Sequence, residues 1–450
     1  MAAPQIVWLR RDLRLADQAA LLAASQAAPV IPVYVLDDER PGHRRLGGAS
    51  RWWLHHSLAA LDDGLRQRGS RLVLRRGESV AVLAQLAAET GAATVHAIRH
   101  YEHWWRSAEE ELAGRLDLQL HDGNYLAPPG SVTSGSGAPY RIYGPFARAL
   151  RQEMPPADPL PGPELSAPAQ WPRSERLADW HLLPTSPDWS GGFAEEWTPG
   201  EDGAQLRLED FLDHADRYAE ERNLPAIEGS SRLSPHLHWG ELSPAQLWHA
   251  LDGRRGEGVE SFRGELIWRD FTQNVIFAQP LYNEQNYRKQ FDAFPWRYPD
   301  AEIRAWQQGR TGYPIVDAGM RQLWHSGWLH NRVRMIVASF LTKHLLVDWR
   351  VGERWFWDAL VDADYGNNGV NWQWVSGTGV DTQLYTRIMA PLVQSVKFGA
   401  ADYIRRWVPE LAGLSDAVIH DPPEGAYLPK IIGHREARER ALAAFRTLKD

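Results

Sequence analysis

The chain has 450 residues, of which 44% are hydrophobic and 24% charged, with a formal net charge of −8. That length exceeds what one hydrophobic core usually serves, so two domains are expected. Cysteine is absent, which excludes disulfides, thiolate catalysis and Cys-ligated metals, and no run approaches the ~18 consecutive apolar residues of a membrane span.

The N-terminal "MAAPQIVWLRRDLRLAD" enters a strand almost at once and has no basic segment followed by an apolar one, which predicts a cytoplasmic protein. Residues 5–9, "QIVWL", read as a buried strand, followed by an alanine-rich helix from about Asp17. "PVIPVYVLDD" at 29–38 is a second strand, and "SRWWLHHSLAALDDGLRQRG" an amphipathic helix. Strands at 71–77 and 93–99 enclose another helix. A helix from about Trp105 and the strand "LDLQLHD" complete the series. Alternating strands and helices predict a parallel, doubly wound α/β sheet over residues 1–130. Its first strand-to-helix turn, "RRDLRLAD", lacks the glycines that let a backbone approach a pyrophosphate, so no dinucleotide site is read there.

Residues 131–200 are rich in Pro, Gly and Ser and read as a long surface connection with one short helix at Tyr143–Gln152. Strand signals end there. Helical patterns at about 204–222, 243–253, 257–275, 314–325, 329–346, 351–361, 400–408 and 433–447 predict an all-α domain over 201–450. Ser243-Pro244 reads as an N-cap followed by Pro at the first helical position.

The 22 tryptophans are anomalous, and most must be packing residues. Four segments of the helical domain are nevertheless too polar and too aromatic for their expected burial. "EGSSRLSPHL" places hydroxyls and free N–H groups before a helix, which suits a phosphate or a plain capping turn. "GELIWRDF" sets Glu265, Trp268 and Arg269 on one helix face, as a surface ion pair beside a packing Trp would also do. "GWLHNRVRM" brings Asn331, Arg332, Arg334 and Met335 onto little more than one turn. "DADYGNNGVNWQW", 362–374, combines two carboxylates, three asparagines and two tryptophans with glycines that break any simple period.

These segments, with "WLRRDLRLAD" and "TGYPIVDAGMRQL", resemble the photolyase/cryptochrome flavoprotein family, in the same order and over nearly the whole chain. The likeness is greatest to bacterial cyclobutane pyrimidine dimer DNA photolyases. It implies an N-terminal α/β antenna domain and a helical domain holding FAD. By this resemblance Tyr218 and the turn Ser230, Ser231, Arg232, Leu233 and Ser234 hold the FAD phosphates and ribityl, and Arg269 adds charge near them. Arg334 and Asp362 pair beside the isoalloxazine, Asp364 accepts from the ring or sugar, and Asn331 lies close by. Asn368 faces flavin N5 and, as a neutral amide, can donate or accept there. Trp372, Trp349 and Trp296 match an electron-hopping chain.

The resemblance further implies light-driven repair: a carbon–carbon lyase splitting cyclobutane dimers flipped out of UV-damaged DNA, where a damaged pair costs less to unstack. Trp268 and Trp374 would stack on the dimer, Glu265 would hydrogen-bond its bases, and Asn331 and Met335 would line the same pocket. Histidines at those two places mark animal-type (6-4) photolyases, so Asn331 and Met335 favour cyclobutane dimers. Arg222, Arg332, Gln394 and Lys397 are the expected phosphate contacts. Phe262 stands where many relatives have Trp. Glu102 matches a folate-contacting acid, which suggests methenyltetrahydrofolate as antenna, with deazaflavin or an empty site as alternatives. A monomer without membrane attachment is expected. The runner-up is a blue-light-sensing cryptochrome without repair; Glu265, Trp268 and Trp374, often lost in such sensors, are all present.

Overall fold

The computed structural model describes residues 3–448 except Gln383. Its N-terminal part alternates β1 (Gln5–Leu9), α1 (Ala19–Ala27), β2 (Val30–Leu36), α2 (Gly48–Gln67), β3 (Val73–Arg76), α3 (Ser79–Thr90), β4 (Thr94–Ile98), α4 (His103–Ala113) and β5 (Asp117–His121). The five strands are all parallel, in the order β3-β2-β1-β4-β5. All seven residues of β2 are buried, as the unbroken apolar run requires when helices cover both sheet faces.

The connection after β5 carries α5 (Tyr143–Arg151) and α6 (Phe193–Glu196). It is not purely a surface segment: Trp180, Phe193 and Trp197 are buried and join the core on one sheet face. That same cluster includes Trp239, Trp328 and Val361, so the sheet and the helical part share a core.

The remainder is helical: α7 (Glu201–Leu212), α8 (Tyr218–Glu221), α9 (Ser234–Trp239), α10 (Pro244–Ala250), α11 (Glu257–Ala278), α12 (Asp300–Gln307), α13 (Pro314–Ser326) and α14 (Asn331–Ser339). These are followed by α15 (Trp349–Ala359), α16 (Tyr365–Ser376), α17 (Pro391–Lys397), α18 (Ala401–Trp407), α19 (Asp416–Ile419) and α20 (His434–Arg446). Ser243 caps α10, as its sequence predicts, and Gln246 returns a bond that completes a capping box. Three expectations differ. The helix expected over 204–222 breaks after Leu212, and the one over 329–346 runs into a π-turn at Phe340–His344. The stretch 362–374, which showed no period, forms α16, a mostly buried helix.

The loop after β1 is packed against the helical part. Arg14 is fully buried and donates to Asn124 Oδ1 and to the Gly123 and Gly240 carbonyls, while the Leu13 N–H reaches the Trp239 carbonyl. Arginine side chains there fasten the helical part to the sheet.

Candidate active site

A cavity of about 630 Å³ opens among α8, α9, α11, α14, α15 and α16. All four anomalous segments reach it. The turn before α9 contributes Ser230, Ser231, Arg232 and Ser234, with Arg232 in the left-handed region at φ 52°. Leu233 is buried at 1% and anchors the turn instead of lining the cavity. Arg232 is paired with Glu196 at 2.6 Å and lies over the Trp197 ring, which fixes the turn. Tyr218 lines the same region, with the Arg222 guanidinium 5.2 Å above its ring.

Arg334 makes a two-pronged pair with Asp362, at 3.1 and 2.9 Å. Asp364 caps α16 by accepting the Asn367 N–H at 2.7 Å. Burial alone would raise the Asp364 carboxyl, but His238 and Arg11 overcome this and hold it well below the ordinary carboxylate range. Burial pushes His238 the other way, toward the neutral imidazole. Arg269 lines the cavity but spends its donors on the Asn124 and Leu237 carbonyls, at 2.5 and 3.2 Å.

Asn368 has a defined orientation. Its amide nitrogen lies 2.9 Å from both the main-chain oxygen and Oε1 of Glu353. Both partners accept, so the NH2 group must face them and the carbonyl oxygen is left for the cavity. Sequence reasoning left Asn368 free to donate or accept; the structure makes it an acceptor.

Glu265, Trp268, Asn331, Met335 and Trp374 line the cavity together, and so does Arg332, expected on DNA phosphate. Two of them carry unforeseen partners. Arg222, expected on DNA phosphate, is ion-paired with Glu265. Trp268 is stacked on Tyr143 of α5, with ring centroids 3.6 Å apart. Phe262 is buried between Phe211 and Tyr218. Gln394 and Lys397 lie outside the cavity lining, on α17, where Lys397 is exposed.

Trp372 also lines the cavity, with Phe356 at 5.0 Å and Trp306 at 6.3 Å between ring centroids. Its ring rests on Gly352, one helical turn from Trp349. Trp349 is fully buried and donates to Asn286 Oδ1 at 2.8 Å. Trp296 packs against Phe294, with ring centroids 4.4 Å apart and planes tilted by 50°, and precedes Arg297, which bridges to Val347.

Glu102 lies apart from the cavity. It is 1% exposed and ion-paired with Arg11, and it lines neither this cavity nor the smaller one of about 50 Å³ beside Arg10, Tyr34, Leu36 and Trp239. A buried carboxylate needs such a cation.

Residues 5–164 match the family model described as DNA photolyase, and residues 262–447 the one described as FAD binding domain of DNA photolyase. The deoxyribodipyrimidine photo-lyase of Agrobacterium fabrum is 48% identical, over 99% of this chain and 98% of that protein. The chain belongs to the DNA photolyase family. A solved bacterial class III photolyase from Agrobacterium tumefaciens has a TM-score of 0.96 at 47% identity, covering 100% of this chain and 98% of its own. An archaeal photolyase from Sulfolobus tokodaii with two FAD molecules has a TM-score of 0.85 at 30% identity, covering 99% and 100%.

The donor set of the cavity fits FAD. Three serine hydroxyls and the backbone ahead of α9 suit a pyrophosphate. His238 is 6% exposed and lines the cavity, with Nδ1 3.8 Å from Asp364 Oδ2 and Nε2 without a hydrogen-bond partner. The Asn368 oxygen supplies an acceptor for a ring N–H. Sequence reasoning missed Arg11, Arg44, Tyr143, His238 and Glu353. Only Glu353 left a signal: a carboxylate on the apolar stripe Trp349, Gly352, Glu353, Phe356 of α15. Among the described residues no helix is long and apolar enough to cross a membrane.

Proposed function

We propose that the chain uses light to repair cyclobutane pyrimidine dimers in DNA, with FAD seated deep in the cavity and the flipped-out lesion nearer its opening. The observation that carries this is the depth ordering of one shared cavity. Asp362, Asp364 and Asn368 are at most 8% exposed, whereas the Glu265 side chain is 34% exposed and Trp268, Trp374 and Met335 are half-buried. A flavin and a base can therefore occupy the same cavity in sequence from inside to outside.

FAD, when bound and reduced, supplies the light-driven transfer of an electron to the dimer and its return. The protein's residues do the rest. The Ser230–Ser234 turn and Tyr218 bind the phosphates and sugar, and Arg334–Asp362 and Asp364 orient the ring. The Asn368 oxygen accepts from N5–H. Trp268 and Trp374 offer faces for the unstacked bases, and Glu265, held by Arg222, offers a carboxylate edge. Asn331 and Met335 line the pocket at the places where histidines would serve a (6-4) lesion. Trp372, Trp349 and Trp296 carry electrons inward from the surface.

The division into an α/β domain over 1–130, a connection over 131–200 and a flavin- and lesion-binding domain over 201–450 belongs to this reading. UV-damaged DNA is the substrate, engaged by the monomer in the cytoplasm. A methenyltetrahydrofolate antenna belongs to the same reading, with a deazaflavin or an empty site as alternatives, and Glu102, paired with Arg11, is the acid the resemblance assigns to it.

The test is repair of an oligonucleotide with one cyclobutane thymine dimer by the reduced holoprotein, illuminated or dark. Repair in the light alone, lost in Glu265→Ala, is the expected result. A flavin that is bound and photoreducible without any repair would replace this reading by the sensor.

A further inference from the structure

Two arginines of the α/β part cross to the helical part and end on carboxylates beside the cavity. Arg11 lies 3.6 Å from Asp364 and is also paired with Glu102. Arg44, just before α2, is 3% exposed and reaches Glu353 of α15 through one nitrogen at 2.8 and 2.7 Å from the two carboxylate oxygens. Arg44 also donates to the Asn283 carbonyl at 3.2 Å and pairs with Glu284 at 2.7 Å.

Glu353 is fully buried. A lone carboxylate there would be strongly disfavoured, and burial does push its carboxyl up, against the opposing pull of Arg44. The next residue in the line is Asn368, whose two N–H bonds go to the Glu353 main-chain oxygen and to Oε1. An amide whose N–H groups are held by an ionised carboxylate has a more strongly accepting oxygen, because successive hydrogen bonds polarise one another.

We propose that Arg44 is a positioning residue for the flavin: by keeping Glu353 an ionised acceptor, it fixes the Asn368 amide with its oxygen toward N5. The inference rests on the flavin reading above and extends it to the α/β part, which thereby sets how readily the flavin stays reduced. Without Arg44 the buried Glu353 has lost the cation that opposes burial and takes up a proton. Asn368 then loses its charged anchor and its oxygen accepts more weakly, which disfavours the reduced, N5-protonated ring.

The experiment is a reductive titration of the FAD-loaded full chain, monitored by flavin absorbance, for the parent, Arg44→Gln, Asn368→Ala and the combination. Arg44→Gln is expected to shift the reduction equilibrium toward oxidised flavin by roughly three- to tenfold, the worth of one ordinary hydrogen bond. In the Asn368→Ala background the same change is expected to do much less, since the group it positions is gone. Arg44→Lys should recover part of the shift. If Arg44→Gln folds poorly, Arg44→Gln with Glu353→Gln removes both buried charges, and the shift toward oxidised flavin should persist. Unchanged titrations in Arg44→Gln or in that double variant, with FAD content intact, would overturn the inference and leave the flavin reading standing. A full-size Arg44→Gln effect without Asn368 would overturn it too. A titration unaffected by Asn368→Ala alone would overturn both the inference and the placement of Asn368 at N5.

Discussion

Tyr143 and Trp268 lie face to face, with ring centroids 3.6 Å apart and planes within 4° of each other. One ring belongs to α5 in the connection, the other to α11 in the helical part. The Tyr143 hydroxyl donates to the Gly264 carbonyl at 2.9 Å, and its main-chain N–H to Asp381 at 2.8 Å. One face of Trp268 is thus occupied by protein, and its orientation is held from outside the helix that carries it. Tyr143→Ala should weaken binding of a dimer-containing duplex by about 1 kcal/mol, the worth of such an aromatic pair, and leave undamaged duplex unaffected. Tyr143→Phe keeps the stack and should behave as the parent. Titration of the two duplexes decides it, and equal loss on both would assign Tyr143 to the general DNA surface.

Asp270 predicts a pH dependence of stability. It is 1% exposed, and one oxygen accepts the Ala127 N–H at 3.1 Å. Burial pushes its carboxyl up to about 7, against the pull of Arg269. In the unfolded chain it titrates near 3.9. Between these values the native state holds a proton that the unfolded state has lost, so stability falls as pH rises from about 4 to about 7 and then levels off. The full effect is at most ~4 kcal/mol. Asp270→Asn keeps an acceptor for Ala127 and removes the titration. Its Tm should exceed that of the parent by a margin that widens from about pH 5 to about pH 8; a constant margin would show that Asp270 stays ionised throughout.

The α/β part was legible because its strands are continuous apolar runs between turn signals. α16 was not, because "YGNNGVNWQW" is poor in helix formers and the helix is imposed by its surroundings. A Cβ on Gly369 would fall 1.7 Å from Asn283, and one on Gly366 2.7 Å from Gln273, so those glycines exist for close approach and not for a break. The ligand-facing residues were legible through the family's motifs. Their supports were not: Arg44 and Glu353 are 309 positions apart, and nothing local marks either as the other's partner. The Arg11 that pairs with Glu102 was illegible for the same reason, since a motif match at Glu102 says nothing of its partner.

DNA binding by a chain of net charge −8 must come from a local patch. Arg332 and Lys397 flank the Phe398 ring, at 4.4 and 5.3 Å from its centroid, and Arg387 lines the neighbouring cavity. Lys397 is exposed on α17 and does not line the cavity, so a phosphate contact is expected of it. Lys397→Ala should weaken damaged and undamaged duplex alike and lower the slope of log affinity against log salt by about 1. A change in the ratio between the two duplexes would instead place Lys397 in lesion recognition.

Gly352 links the tryptophan chain to the packing of α15. A glycine inside a helix ordinarily costs ~0.5–1 kcal/mol relative to alanine, so Gly352→Ala would stabilise α15 taken alone. Here the added Cβ would stand 2.1 Å from Trp372 Cη2 and 2.6 Å from Leu341 Cδ2. Overpacking of this kind costs ~1–3 kcal/mol, which outweighs the helix gain, so Gly352→Ala should lower the Tm. It should also slow light-driven reduction of bound FAD, because the displaced ring is the one that lines the cavity. Trp372→Phe in the same chain makes room for the methyl group. The double variant should therefore regain thermal stability while photoreduction stays slow, since phenylalanine is far harder to oxidise than tryptophan. Recovery of both properties together would mean that electrons reach the flavin without Trp372.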